Sequence, residues 1–64
     1  MNINGQNIRI VSGTKLSDIL FSNGYDRTKI CVELNGNIIP KKDYESVIVN
    51  DEDSMEIVSF VGGG

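Results

Sequence analysis

Residues 30–40 read ICVELNGNIIP and predict a hairpin of two strands. Apolar side chains occupy every second position of the first five residues, which is the pattern of a strand with one buried face. Asn35-Gly36 follows at once, and this pair is the strongest short-range signal for a two-residue hairpin turn. Residues 37–39 form the return strand, which ends before Pro40 because proline has no amide hydrogen to donate to a sheet.

Upstream of this hairpin lies a helical pattern at residues 15–22. Its apolar side chains fall at i, i+3 and i+4 and form one stripe. They are Leu16, Ile19 and Leu20. We expect Thr14 to be the N-cap and Asn23-Gly24 to end the helix. A helix of about two to three turns is not stable alone in water, so this one must pack on a sheet.

The rest of the chain is rich in strand-forming residues. It contains nine Ile and six Val but no Ala, and β-branched residues favour strands. We predict a first hairpin that closes near Gly5, with a turn at Gly5-Gln6 and a return strand at residues 7–11. Later in the chain we predict a turn or short helical piece at residues 41–45, a short apolar segment at 47–49 and a last strand at about 55–61. The element order is then β-β-α-β-β-β, and the fold class is α+β, a mixed sheet with one central helix packed on one face.

The last strand is predicted to carry apolar residues on both of its faces. Met55 and Ile57 share one face, and Val58 and Phe60 share the other. Since a single helix covers only one face of the sheet, we expect Val58 and Phe60 to be exposed. We interpret them as partner-binding residues. In the alternative interpretation, Phe60 folds over the edge of the sheet.

Three other features receive structural interpretations. We expect Cys31 to pack in the core, because free cysteine is among the most buried residue types and no basic residue adjoins it. The acidic residues 51–53 lack the ligand spacing of a calcium-binding loop, which favours a solvated turn. Ser54 precedes a β-branched strand, whereas the serine that carries phosphopantetheine in acyl carrier proteins opens a helix.

Composition excludes several classes of function. The chain has 64 residues, a net charge of −3, no histidine and one cysteine. It therefore has no histidine-dependent nucleophile, no internal disulfide and no four-ligand zinc site. The acidic charge disfavours nucleic acid, and no apolar run approaches the roughly 20 residues that span a membrane. With no leader resembling a signal peptide, we expect a cytoplasmic carrier or binding module rather than an enzyme, without bound metal or cofactor.

The sequence ends in three glycines, Gly62-Gly63-Gly64. One interpretation is a frayed terminus without a role. In the other, the terminal carboxylate is the reactive group: its pKa is about 3.3–3.7, so it is ionised at neutral pH and attacks an activated phosphate without a local base. Glycine suits such a tail because it has no Cβ to obstruct entry into a narrow site.

Three segments together carry a family resemblance. They are residues 14–20 (TKLSDIL), 30–40 (ICVELNGNIIP) and 56–64 (EIVSFVGGG). In these segments and in length, the chain resembles the ThiS family of sulfur carriers in thiamin biosynthesis. The resemblance implies a ubiquitin-like β-grasp domain at residues 1–61 and a flexible C-terminal glycine tail at residues 62–64. Two turn residues depart from the family pattern: Glu52 stands where Gly is frequent, and Lys41 follows Pro40 where Arg is common.

The resemblance also implies a chemistry in which the protein is a substrate of its partners. An E1-like adenylating enzyme would use ATP to adenylate the Gly64 carboxylate. Sulfur from a cysteine-derived persulfide would replace AMP and give a C-terminal thiocarboxylate, which thiazole synthase would accept. Two related functions remain open at this point: a sulfur carrier of the molybdopterin synthase small-subunit type, and a ubiquitin-like modifier that forms isopeptide bonds through Gly64.

Overall fold

The structure of the protein is a computed structural model that describes residues 1–60. Its helix α1 spans Leu16–Ser22. Five strands form the main sheet: β1 Asn2–Ile3, β2 Gln6–Asn7, β4 Ile30–Leu34, β5 Asn37–Ile39 and β7 Ser54–Ser59. Two further strands, β3 Thr14–Lys15 and β6 Ile48–Val49, form a small second sheet. The expectations for residues 61–64, and with them the tail, lie outside the described residues.

The main sheet is mixed, as predicted. Its strand order is β2-β1-β7-β4-β5. The central strands β1 and β7 run parallel, and the other neighbours pair antiparallel. With α1 on one face, this is the α+β architecture of the β-grasp fold. None of the helices found in residues 1–60 has the length and apolar character needed to span a bilayer.

The hairpin turn between β4 and β5 forms where the sequence predicts it. Asn35 and Gly36 both have positive φ, at 50° and 86°, as this two-residue turn requires. The Asn35 side chain adds two bonds to the start of β7: its Oδ1 accepts from the Ser54 amide at 2.9 Å, and its Nδ2 donates to Asp53 at 3.0 Å. The turn therefore also fixes where the last strand begins.

Replacing Gly36 by alanine is expected to lower the free energy of unfolding by about 1 kcal/mol. A Cβ at this position meets nothing within 4 Å, so the cost comes from the positive φ alone. Urea denaturation measures the change. Gly36→Asn is the matched control and should cost less, because asparagine tolerates positive φ better than alanine does. Equal stability of the parent and Gly36→Ala would show that the turn conformation is not under this constraint.

The hydrophobic core lies between α1 and one face of the main sheet. The predicted helix stripe is confirmed, since its three apolar side chains are all buried. Tyr44 is also buried, with 1% of its surface exposed, although the sequence places it only in a turn or short helical piece and not in the core. The core comprises Met1, Ile3, Leu16, Ile19, Leu20, Ile30, Val32, Tyr44, Val49, Met55 and Ile57.

The predicted start of α1 is wrong. Thr14 is not the N-cap: it lies in β3 and pairs with Val49 of β6. The N-cap is Lys15, which makes no side-chain capping bond. Instead, the first helix amides donate to distant carbonyls, that of Leu16 to Val47 and that of Ser17 to Tyr44, both at 2.9 Å. The returning chain therefore satisfies the donors that a capping side chain would otherwise take.

The first hairpin is shorter than predicted, and its turn lies one residue earlier. Asn4 and Gly5 have φ of 54° and 87°, and the return strand covers only Gln6–Asn7 instead of residues 7–11. The Asn4 side chain pairs with the backbone of Ile57, accepting from its amide at 2.7 Å and donating to its carbonyl at 3.1 Å. This amide side chain continues the hydrogen bonding of β7 beyond the end of β1.

Candidate functional site

The face of the sheet opposite α1 carries an exposed apolar surface. In the register of β4 and β7, Cys31 stands opposite Val58. Ile38 of β5 lies beside them around one shallow depression, and Phe60 follows β7. The exposed fractions are 70% for Ile38, 61% for Val58 and 47% for Phe60. We call Cys31, Ile38, Val58 and Phe60 the outer patch.

The predicted exposure of Val58 and Phe60 is confirmed, and their role in partner binding stays a prediction. Ile38 was missed as a member of this surface. Its cross-strand partner is Glu33, which alternation places on the outward face of β4. That alternation was the available signal, because the two-residue turn fixes the pairing of β4 with β5.

The expectation that Cys31 is buried is wrong, because the residue is exposed. Successive side chains of a strand point to opposite faces. Ile30 and Val32 both face the core, so Cys31 between them must face outward. Its thiol is therefore accessible in the middle of the outer patch.

Replacing Cys31 by serine is expected to change the free energy of unfolding by no more than about 0.5 kcal/mol. Because the thiol is exposed, its replacement creates no cavity, and the new serine hydroxyl can bond to water. Urea denaturation tests this, with Val32→Thr as the buried neighbour that should lose considerably more stability. A large loss for Cys31→Ser would show that the thiol packs in the core after all.

The main sheet holds the backbone in place up to Phe60, the last residue that the structure describes. The last register pair of β4 and β7 joins Ile30 and Ser59, and the Phe60 amide donates to the Lys29 carbonyl at 2.9 Å. The Lys41 ammonium lies 5.0 Å from the centre of the Phe60 ring, a cation–π contact. The backbone and the ring of Phe60 are thus both positioned where the described part of the chain ends.

A polar framework supports this end of the sheet. The 3-10 turn Arg27–Lys29 is capped by Asp26, whose carboxylate accepts from the amide and the hydroxyl of Thr28 at 2.9 and 2.6 Å. These two bonds hold the pKa of Asp26 below its ordinary value. Arg27 donates to the Lys41 carbonyl at 3.0 Å and thereby ties this turn to a second 3-10 turn, Lys41–Asp43.

Arg27 also links this framework to the core. Its guanidinium lies 5.3 Å from the centre of the Tyr44 ring and 3.6 Å from the Glu45 carboxylate. Burial raises the pKa of the Tyr44 hydroxyl above its ordinary value. The framework therefore positions Lys41, and through Lys41 the Phe60 ring, by contacts that reach the hydrophobic core.

The acidic turn at residues 51–53 has a structural use. The Asp51 carboxylate accepts hydrogen bonds from the Ile10 amide and from the Met1 amino group, both at 3.0 Å. The hydrogen bond from the Ile10 amide is the main cause that holds the pKa of Asp51 below its ordinary value. Asp53 accepts from the Asn50 amide at 2.8 Å. Over residues 1–60, no three or more potential ligand side chains gather in a way that could hold a metal ion. Ser54 opens a strand, which removes the acyl-carrier interpretation.

Comparison with known proteins decides the family. The family model described as "ThiS family" matches residues 1–64, the whole chain. The chain belongs to the ThiS family. The sulfur carrier protein ThiS of Bacillus subtilis (strain 168) is 37% identical over 65 residues, and the match covers 100% of this chain and 98% of that relative.

Another relative is much longer than this ThiS-family chain. A thiazole synthase of Paramagnetospirillum magneticum is 42% identical over 62 residues, which are 97% of this chain but 19% of that protein. A thiazole synthase of Magnetococcus marinus is matched over 20% of its length. The chain thus spans about a fifth of the length of these two relatives.

The fold is confirmed by a solved structure. The crystal structure of the thiamine biosynthesis protein ThiS from Geobacter metallireducens superposes with a TM-score of 0.78 at 24% identity, covering 98% of this chain and 96% of that one. Gly62, Gly63 and Gly64 lie outside the described residues, so their predicted role as the reactive tail stays a prediction.

Proposed function

We propose that this protein is a sulfur carrier in thiamin biosynthesis and that the Gly64 carboxylate carries the sulfur as a thiocarboxylate. The observation that supports this most is the family match over the whole chain, including the terminal glycines. The Bacillus sulfur carrier, which the chain matches along nearly its full length, supports the same function. The reactive group is then the main-chain carboxylate, and the protein is acted on by its partners.

The chemistry proceeds in three steps. On an E1-like enzyme, a Gly64 carboxylate oxygen attacks the α-phosphorus of ATP, and pyrophosphate leaves. The terminal sulfur of a cysteine-derived persulfide then attacks the acyl carbon, and AMP leaves with the electron pair of the broken C–O bond. A second thiol attacks the donor's sulfur in the resulting acyl disulfide, which forms a new disulfide and releases the thiocarboxylate.

The proposed chemistry also needs a surface that partners recognise, and the exposure of the outer patch supports its role as that surface. The outer patch is an exposed apolar surface, the kind of surface that marks docking sites, and it reaches the point where β7 ends. Phe60 belongs to this patch and is held by Lys29 and Lys41. A partner that binds the outer patch therefore has Phe60, two residues before the glycine tail, at a fixed place.

Thiazole synthase is the proposed sulfur acceptor. Two thiazole synthases each contain a segment similar to nearly all of this chain, over 19% and 20% of their lengths. In these relatives the thiazole synthase and the segment similar to this protein belong to one chain. Such a covalent link supports thiazole synthase as the partner of this protein. ATP is used by the activating enzyme, and the carrier needs no cofactor of its own.

Intact-mass analysis tests the proposal. The protein is incubated with an E1-like activating enzyme, ATP and a persulfide donor, and then with thiazole synthase and its other substrates. We expect a mass gain equal to the difference between sulfur and oxygen, which thiazole synthase reverses. A ladder of conjugates on a denaturing gel would instead support the modifier function. Sulfur transfer to a molybdopterin precursor, together with the large subunit of molybdopterin synthase and in place of transfer to thiazole synthase, would support the molybdopterin type.

A further inference from the structure

Two glutamates face each other at one end of the outer patch. Glu33 of β4 and Glu56 of β7 are direct partners in the antiparallel register, and both line the depression with Cys31, Ile38 and Val58. Side chains at such positions have Cβ atoms about 4.5–5.5 Å apart, and like charges placed there destabilise a sheet. The fold therefore carries an unfavourable pair of like charges on the exposed face of the sheet.

No cation within the described chain relieves this repulsion. The ion pairs of residues 1–60 join Met1 with Asp51 and Arg27 with Glu45. The ammonium of Lys41 lies over Phe60, at the other end of the outer patch. Positions 56 and 60 are four residues apart on an extended strand, or about 13 Å. The patch is thus acidic at one end, apolar in its middle and basic where β7 ends.

We propose that the Glu33–Glu56 pair receives a basic side chain of the activating enzyme when that enzyme docks on the outer patch. This inference rests on the proposed function and adds the chemistry of the partner's surface. Two carboxylates side by side present the acceptors that a planar guanidinium binds, which makes arginine the favoured occupant. The basic group should lie about 13 Å from the part of the enzyme that contacts Phe60.

Charge favours such a partner over a second copy of this chain. The protein has a net charge of −3, so two copies repel each other at long range. A second copy also brings two further glutamates for each Lys41. A basic partner surface removes the repulsion between Glu33 and Glu56 and surrounds the new ion pairs with apolar contacts from the outer patch.

A pair of matched double variants tests the proposal. Glu33→Gln/Glu56→Gln removes the acidic pair. Asp18→Asn/Glu52→Gln makes the same change in net charge at exposed positions, on α1 and in the acidic turn. The dissociation constant of each variant with the activating enzyme is measured by titration at two salt concentrations. ATP–pyrophosphate exchange at saturating carrier concentration is measured alongside, and it reports the tail chemistry separately from docking.

We expect the Glu33→Gln/Glu56→Gln variant to bind about tenfold more weakly, or about 1.4 kcal/mol, with a weaker dependence on salt. Its exchange rate at saturation should equal that of the parent, and its urea midpoint should be equal or higher. The control variant should stay within about twofold of the parent affinity. Glu33→Lys should raise the urea midpoint by forming an ion pair with Glu56, and should still weaken binding.

Equal weakening by both double variants would overturn the proposal, because only net charge would then matter. Unchanged affinity of Glu33→Gln/Glu56→Gln would overturn it as well. A concentration-dependent dimer in sedimentation, lost in that variant, would place a second copy on the patch instead. Failure of the proposed function is distinguishable, because the parent itself would then give no ATP–pyrophosphate exchange.

Discussion

Adding one alanine after Gly64 is expected to reduce ATP–pyrophosphate exchange by the activating enzyme at least about a hundredfold. The extra residue moves the terminal carboxylate by about 3.5 Å, which is more than an aligned displacement at phosphorus tolerates. The core is formed within residues 1–57, so the free energy of unfolding should not change. Exchange measures adenylation directly, because it requires the carboxylate to react and pyrophosphate to leave.

Gly63→Ala is the matched control for tail extension. It leaves the carboxylate at its original distance along the chain and adds a single Cβ, so exchange should fall clearly but less than in the extended protein. If the extended protein exchanges at the parent rate, the terminal carboxylate is not the group that is adenylated. The three glycines would then have no chemical role.

Replacing Phe60 by alanine is expected to weaken binding to the activating enzyme about thirtyfold, or by about 2 kcal/mol. The ring is 47% exposed on the outer patch, and it lies where β7 ends. Truncation of an aromatic hot-spot residue in an interface commonly costs this much binding free energy. Phe60 belongs neither to the core nor to the residues packed against it, and the change removes one cation–π contact, so the urea midpoint should stay close to that of the parent.

Phe21 offers a matched control for this measurement. Its ring is 84% exposed on α1, on the other side of the molecule from the outer patch. Phe21→Ala should therefore leave the affinity unchanged. Should Phe60→Ala unfold the domain while the affinity per folded molecule stays constant, Phe60 is a core residue and the outer patch is wrongly placed.

The parts of the fold that depend on local rules could be predicted from the sequence. Asn35-Gly36 determines a turn within two residues, and this turn sets the pairing of β4 with β5. The apolar stripe of α1 follows from helical spacing alone. The exposure of Val58 and Phe60 follows from alternation along one strand and from the presence of a single helix.

The errors concern contacts between distant parts of the chain. Thr14 fits the preferences of an N-cap, but β6 returns to pair with it, and carbonyls near Tyr44 take the helix amides. No local sequence pattern predicts the pairing of β3 with β6 or the burial of the Tyr44 ring. Cys31 is a different case: the average burial of cysteine favours the core, but the alternation along β4 places this residue outward, and the alternation decides.

The accessible Cys31 makes the position of the sulfur the central question. Trypsin cleaves after lysine, so the last peptide is residues 43–64, whereas Cys31 lies in the peptide 30–41. After reaction with the activating enzyme, ATP and a persulfide donor, fragment masses of both peptides locate the transferred sulfur. Replacement of one oxygen by sulfur at Gly64, with an unmodified 30–41 peptide, is the predicted result. Sulfur added to Cys31 as a persulfide, with an unchanged 43–64 peptide, would contradict the account.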